Sequence, residues 1–78
     1  MTLLEIAQIY TDLVTADGNV PSSEHVAKDE IYALRSKYHQ ILMDKLKEEG
    51  IEYSDRFDAA SKAFEIVKNS SSHLAHSA

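Results

Sequence analysis

Conformational punctuation is scarce in this chain: its 78 residues include only Gly18, Gly50 and Pro21 as breakers. Nothing interrupts the stretch from Ser22 to Glu49, which can therefore hold one helix of roughly 27 residues, about 40 Å long at 1.5 Å per residue. Ser22 or Ser23 is the expected N-cap, and Glu24 in the first turn suits the helix dipole. Ala27, Ile31, Leu34, Tyr38, Ile41, Leu42 and Leu46 recur at spacings of 3 and 4 and form its expected apolar stripe. Gly50 fits the left-handed position after the helix, with Ile51 folding back towards Leu46 in a Schellman motif.

A shorter helix is expected on each side. Thr2 and Glu5 have the S/T-x-x-E spacing of a capping box and open a helix over about 3–16, which Gly18 is placed to stop. Its polar residues Glu5, Gln8, Asp12 and Thr15 make one narrow stripe. Leu3, Leu4, Ile6, Ala7, Ile9, Tyr10, Leu13 and Val14 fill the remainder, far wider than the roughly 100° needed against a single neighbour. This helix is expected to touch two neighbours, or one neighbour and a second subunit. On the other side, Ser54 is the expected cap of a helix over 55–68, with Phe57, Ala60, Ala63, Phe64 and Val67 inward, Asp58 and Lys62 paired outside, and Asn69 as the stop.

The fold class is therefore all-α, with three helices at about 3–16, 23–49 and 55–68 around a long central one, in a helical-hairpin or bundle-like arrangement. Residues 1–69 form a single domain, and the small polar run at 70–78 is expected to be a flexible tail. If each short helix covers half of the long one, the monomer holds two thin cores. Chains of this size bury a modest fraction of their surface, and no cysteine is present to staple them. A homodimer is the expected remedy, with Leu3, Ile6, Ile9, Tyr10, Leu13, Ile31, Leu34, Tyr38 and Ile41 assigned to core or dimer packing.

Charge and composition narrow the function classes. The formal net charge is −5, which disfavours nonspecific nucleic-acid binding. The first apolar segment is broken by Glu5, Gln8, Thr11 and Asp12, so neither a signal peptide nor a membrane span is expected, and a cytoplasmic setting fits the lack of cysteine. One basic island stands out: residues 31–43 contain Arg35 and Lys37 and no acid.

The string "ADGNVPSSE" at 16–24 invites a metal reading. With Gly18 at the invariant sixth position of a calcium loop, Asp17 and Glu24 fall at ligand positions, but Leu13 and Thr15 occupy the first two and Pro21 a later one. The same string resembles the helix-connecting turn of tellurite-resistance-type helical domains. That resemblance is confined to these nine residues and implies a turn between two helices, with no activity attached. His25 and Asp29 share a face at i,i+4, and His73 and His76 form a second pair, yet two ligands do not make a site. No metal and no cofactor are expected. There is no Gly-rich phosphate loop and no nucleophile with base and orienter, so no catalytic activity is expected.

Tyr32, Arg35, Ser36, His39 and Met43 gather at spacings of 3, 1, 3 and 4 on the side of the long helix away from Leu34, Tyr38 and Ile41. Tyr, Arg and Met are enriched at protein interfaces, which makes this the candidate partner-binding patch. An ordinary solvated face has the same spacing. The expected function is a non-catalytic, acidic interaction module that acts by binding another protein as adaptor, inhibitor or small regulator. The alternatives are a dimeric DNA-associated transcriptional regulator, with Arg35, Lys37, His39, Lys45 and Lys47 on phosphates, or an acidic mimic of nucleic acid.

Overall fold

A computed structural model describes the backbone of residues 1–77 and the side chains of residues 1–70. It is helical throughout its regular structure, in the order α1 (Leu3–Asn19), α2 (His25–Glu48) and α3 (Arg56–Ser77), with no strand among the described residues. No helix of the described residues is long and apolar enough to cross a membrane.

Local chemistry sets the ends of the helices. The capping box of α1 is complete: the Glu5 N–H donates to Thr2 Oγ1 at 3.1 Å and the Thr2 N–H donates to Glu5 Oε1 at 3.0 Å. The Glu5 carboxyl is held below its ordinary pKa, chiefly by the Thr2 backbone N–H and then by the Thr2 side chain. Gly18 does not stop α1. It takes a helical conformation, and the helix ends at Asn19 because Pro21 drives Val20 into extended backbone, φ −83° and ψ 126°. The long helix begins at His25, later than the serines suggested. Ser22 and Ser23 sit in a turn closed by the Glu24 N–H on the Pro21 carbonyl, and Glu24 occupies the cap position without a side-chain bond. At the far end the expected Schellman motif is present: Gly50 has φ +75°, its N–H reaches the Lys47 carbonyl, and the Ile51 N–H reaches that of Leu46 at 2.8 Å.

The third helix departs most from expectation. Its cap is Asp55, whose Oδ1 accepts from the Asp58 N–H at 2.8 Å, while Asp58 reaches back to the Ser54 N–H. The helix does not stop near 68 but continues to Ser77. Asn69 and the serines that follow are mediocre helix formers, each about 0.5 kcal/mol worse than alanine, but neither glycine nor proline follows to break the ladder. The side chains of 71–78, which include His73 and His76, lie outside the described residues.

A single cluster gathers Ile6, Ala7 and Tyr10 of α1, Leu42 and Leu46 of α2, and Ala59 and Ala63 of α3. The two thin cores expected from the sequence are thus replaced by one to which every helix contributes. The reason is register. The first helix runs antiparallel along most of α2, with Asp17 beside Lys28 and Arg35, Tyr10 beside His39, and Ile6 near Ile41. Its wide apolar face meets both other helices, as its width demanded.

The inward face of α2 is a partial correction: Leu42 and Leu46 of the expected stripe are fully buried, but its N-terminal half is not. The buried residues are His39, Leu42 and Leu46, with Arg35 in line one turn earlier, whereas Leu34 is exposed and Ile31 only half-buried. Tyr38 and Ile41 pack against the cluster from its edge. The third helix turns Ala59, Ala63 and Ile66 inward, leaving Phe57 and Phe64 outside. Lys62 and Asp58 do pair, at 3.9 Å.

Candidate functional site

The sequence-selected patch becomes one wall of a cleft. Tyr32, Arg35, Ser36 and His39 of α2 line a cavity of about 390 Å³ with Tyr10 and Val14 of α1 on a second side. Arg56, Phe57, Ala60 and Phe64 of α3 close the third. Met43, the fifth residue of the patch, does not line it; its side chain is half-buried against the core.

His39 is not a surface residue. It is 7% exposed and joins all three helices: Nε2 lies 2.9 Å from the Arg56 carbonyl oxygen and Nδ1 lies 3.5 Å from Tyr10 Oη. A carbonyl can only accept, so the proton is assigned to Nε2, and Nδ1 accepts from the Tyr10 hydroxyl. The two rings meet with centroids 5.1 Å apart at 57°, a tilted arrangement favourable to aromatic pairs. With both ring nitrogens engaged, His39 presents no lone pair to a substrate or a metal in this arrangement.

Arg35 is only partly available as well. Its Nη1 donates to Asp17 Oδ2 at 2.6 Å, and Lys28 Nζ donates to the Asp17 carbonyl oxygen at 2.6 Å and approaches Oδ1 at 3.4 Å. Asp17 is the acid of the apparent calcium loop. Its carboxylate sits in the last turn of α1, where the helix dipole disfavours it, and the two cations offset that penalty while fixing α1 to α2. Glu24, the other candidate ligand, starts α2 through its backbone, and its side chain is exposed and makes no capping bond. Among the described residues no three of His, Cys, Asp and Glu gather as a metal site would require. His25 and Asp29 are exposed.

Tyr32, Phe57 and Phe64 form the rim and are 64%, 76% and 44% exposed. Two of these three aromatic groups were not selected from the sequence, because Phe57, Ala60 and Phe64 have as good a claim to be a core stripe as to be a surface one. The signal that identifies them is the competing series Ala59, Ala63, Ile66, also at helical spacing. Arg56 gave no sequence signal at all; its place depends on where α3 begins. Among the described residues its guanidinium pairs with no carboxylate, and no acid lines the cleft.

The other packing residues divide into two groups. Leu3, Ile6, Tyr10, Tyr38 and Ile41 belong to the core or pack against it. Ile9, Leu13 and Ile31 are half-buried without joining it, and Leu34 is exposed.

No protein-family model matches the chain, and no curated protein and no solved structure matches it. The likeness of residues 16–24 to a tellurite-resistance-type turn thus has no counterpart over the chain as a whole.

Proposed function

We propose that this chain is a non-catalytic interaction module that binds another protein through the cleft between α1, α2 and α3. The observation that carries the reading is the aromatic rim. Tyr32, Phe57 and Phe64 remain exposed around one concavity, whereas among the described residues the only fully buried large side chains are Leu42 and Leu46. Covering a side chain of this size contributes about 1.5–3 kcal/mol, so three around one cavity are a substantial driving force for association. Tyr and Arg at its margin are the residue types that dominate binding energy at protein interfaces. Catalysis is disfavoured by geometry: Ser36 is exposed, and the neighbouring His39 has both nitrogens engaged.

The DNA-associated alternative loses much of its footing. Of its five expected contacts, Arg35 is tied to Asp17, His39 is buried and Lys45 pairs with Glu48 and Glu49, which leaves Lys37 and Lys47 exposed. The acidic-mimic alternative rests on the net charge of −5 alone. A cytoplasmic setting suits a chain without cysteine.

Self-association is a second reading, favoured by one observation. Ile9 and Leu13 on α1, with Ile31 and Leu34 on α2, are apolar, lie off the core cluster and do not line the cleft. A bundle-like homodimer would cover them. Light scattering of wild type and Leu34→Glu decides it: a concentration-dependent dimer lost in the variant is expected, and a folded wild-type monomer at micromolar concentration refutes it.

For the cleft, the test is affinity capture with three baits: wild type, Phe57→Ser/Phe64→Ser, and Leu34→Ser. A partner protein retained by the first and third baits and lost from the second is the expected result. Retention by all three would sink the reading.

A further inference from the structure

The lining of the cleft restricts its occupant. In a chain with 13 acidic and 8 basic side chains, this concavity is lined by Arg35 and Arg56 and, among the described residues, by no acid. We infer that it takes a peptide segment of a partner protein in which an aromatic or long aliphatic anchor is flanked by Asp or Glu: the anchor against Phe57, Phe64 and Tyr32, the carboxylate on the arginines. This rests on the reading that the cleft binds protein, and names what it binds.

The donors are suited to a single carboxylate. A guanidinium carries five N–H donors in a fixed fork, and only Nη1 of Arg35 is committed to the protein, on Asp17. The hydrogen bond from His39 to Arg56 uses the Arg56 backbone carbonyl, so the guanidinium of that residue is left for an incoming carboxylate. Because His39 is satisfied on both nitrogens, the apolar part of the occupant meets no orphaned polar group. A volume of about 390 Å³ lies near the low end of the ordinary ligand-pocket range, which suits one large side chain and its neighbours.

A polyanion fits less well. Tracking a phosphate backbone requires a cation for each phosphate held, and only two arginines line the cleft, one already sharing its charge with Asp17.

Nuclear magnetic resonance titration of the isotope-labelled full chain tests this with defined probes: a synthetic peptide with one Phe anchor between acidic residues, the same peptide with the acids changed to Gln or to Lys, the same with Phe changed to Ala, and a short single-stranded oligonucleotide. The acidic peptide is expected to shift Tyr32, Arg35, Phe57 and Phe64 and to bind about tenfold tighter than its Gln counterpart, a charge-assisted gain. The Lys peptide should be weaker still and the Ala peptide undetectable. Arg56→Gln should remove most of the acid-over-Gln preference, and Phe57→Ala should weaken both peptides; both positions are exposed, and an unchanged melting temperature verifies the fold. Equal binding of the acidic, Gln and Lys peptides overturns the acid rule while leaving protein binding at the cleft intact. Binding by none of them overturns both. Shifts of the same residues by the oligonucleotide that depend on Arg56, or by raising the concentration of the chain alone, overturn the inference in favour of nucleic acid or a second copy.

Discussion

Removing His39 tests whether the three helices are held together as described. His39→Ala deletes a ring that is 7% exposed, a loss of about 1.5–2 kcal/mol in buried surface at the lower end for a partly polar side chain. It also deletes the 2.9 Å bond to the Arg56 carbonyl, worth about 1 kcal/mol net, and the 3.5 Å contact with Tyr10, which is at the limit for a hydrogen bond and worth well under about 0.5 kcal/mol. The sum is about 3 kcal/mol. A chain of 78 residues has roughly 4–12 kcal/mol to lose, so the variant should be visibly weakened but still foldable. His39→Gln keeps a donor near the position of Nε2 and should lose about half as much; Tyr10→Phe, which removes only the weak partner, should lose less than about 0.5 kcal/mol. Urea unfolding followed by far-ultraviolet circular dichroism gives all three values, with the slope m as a check that the same surface is exposed. The expected order is His39→Ala, then His39→Gln, then Tyr10→Phe. His39→Ala within about 1 kcal/mol of wild type, or Tyr10→Phe as costly as His39→Ala, would refute the claim that the ring ties α3 to α1 and α2.

The two glycines should respond in opposite ways. Gly18 is helical with open space around a Cβ, so Gly18→Ala should stabilise by about 0.5–1 kcal/mol, whereas Gly50→Ala, at φ +75°, should destabilise by about 1 kcal/mol. Thermal melts should separate the pair by at least about 6 °C, and a loss of stability in Gly18→Ala would contradict a helical Gly18. Asp17→Ala should cost about 1 kcal/mol, modest because Lys28 and Arg35 are about one third exposed, and a double-mutant cycle with Arg35→Ala should return a coupling that shrinks in high salt. A coupling of zero at low salt would remove the ion pair from the account of how α1 is fixed. Glu5 governs an acid-side effect. Its folded pKa is below the unfolded value, near 4.5, so the unfolded chain binds more protons there; the stabilisation is complete above that value and is lost as pH falls through the folded pKa. Glu5→Gln should flatten the part of the pH–stability curve below 4.5, and an unchanged acid limb would falsify this assignment.

What was legible in the sequence is what is decided within a few residues. The capping box needs only Thr2 and Glu5, and the Schellman motif needs only the residues from Leu46 to Ile51. The choice of inward face is decided elsewhere. On α2, both Ile31, Leu34, Tyr38, Ile41 and Arg35, His39, Leu42, Leu46 have helical spacing. The second series prevails because Asp17 and Tyr10, on another helix, supply partners for Arg35 and His39. A polar residue reads as solvated until its partner is known, and the partner here is 18 or 29 residues away.

The exposed aromatic rim follows from the same packing choice. Helix axes approach to about 8 Å only where the side chains between them are small, and α3 presents Ala59 and Ala63 to a cluster that includes Ala7, all three wholly buried. With Phe57 and Phe64 in their place, α3 would stand farther off, and His39 Nε2 could not reach the Arg56 carbonyl at 2.9 Å. At about 100° per residue the two phenylalanines of α3 lie about 130° round the helix from its two alanines, so both pairs cannot face the core. Turning the alanines inward therefore closes the core and sets both phenylalanines beside Tyr32 and Arg35. The tight seam and the open cleft are two sides of one helix orientation, and a substitution that loosens the first, such as Ala63→Leu, should disperse the second.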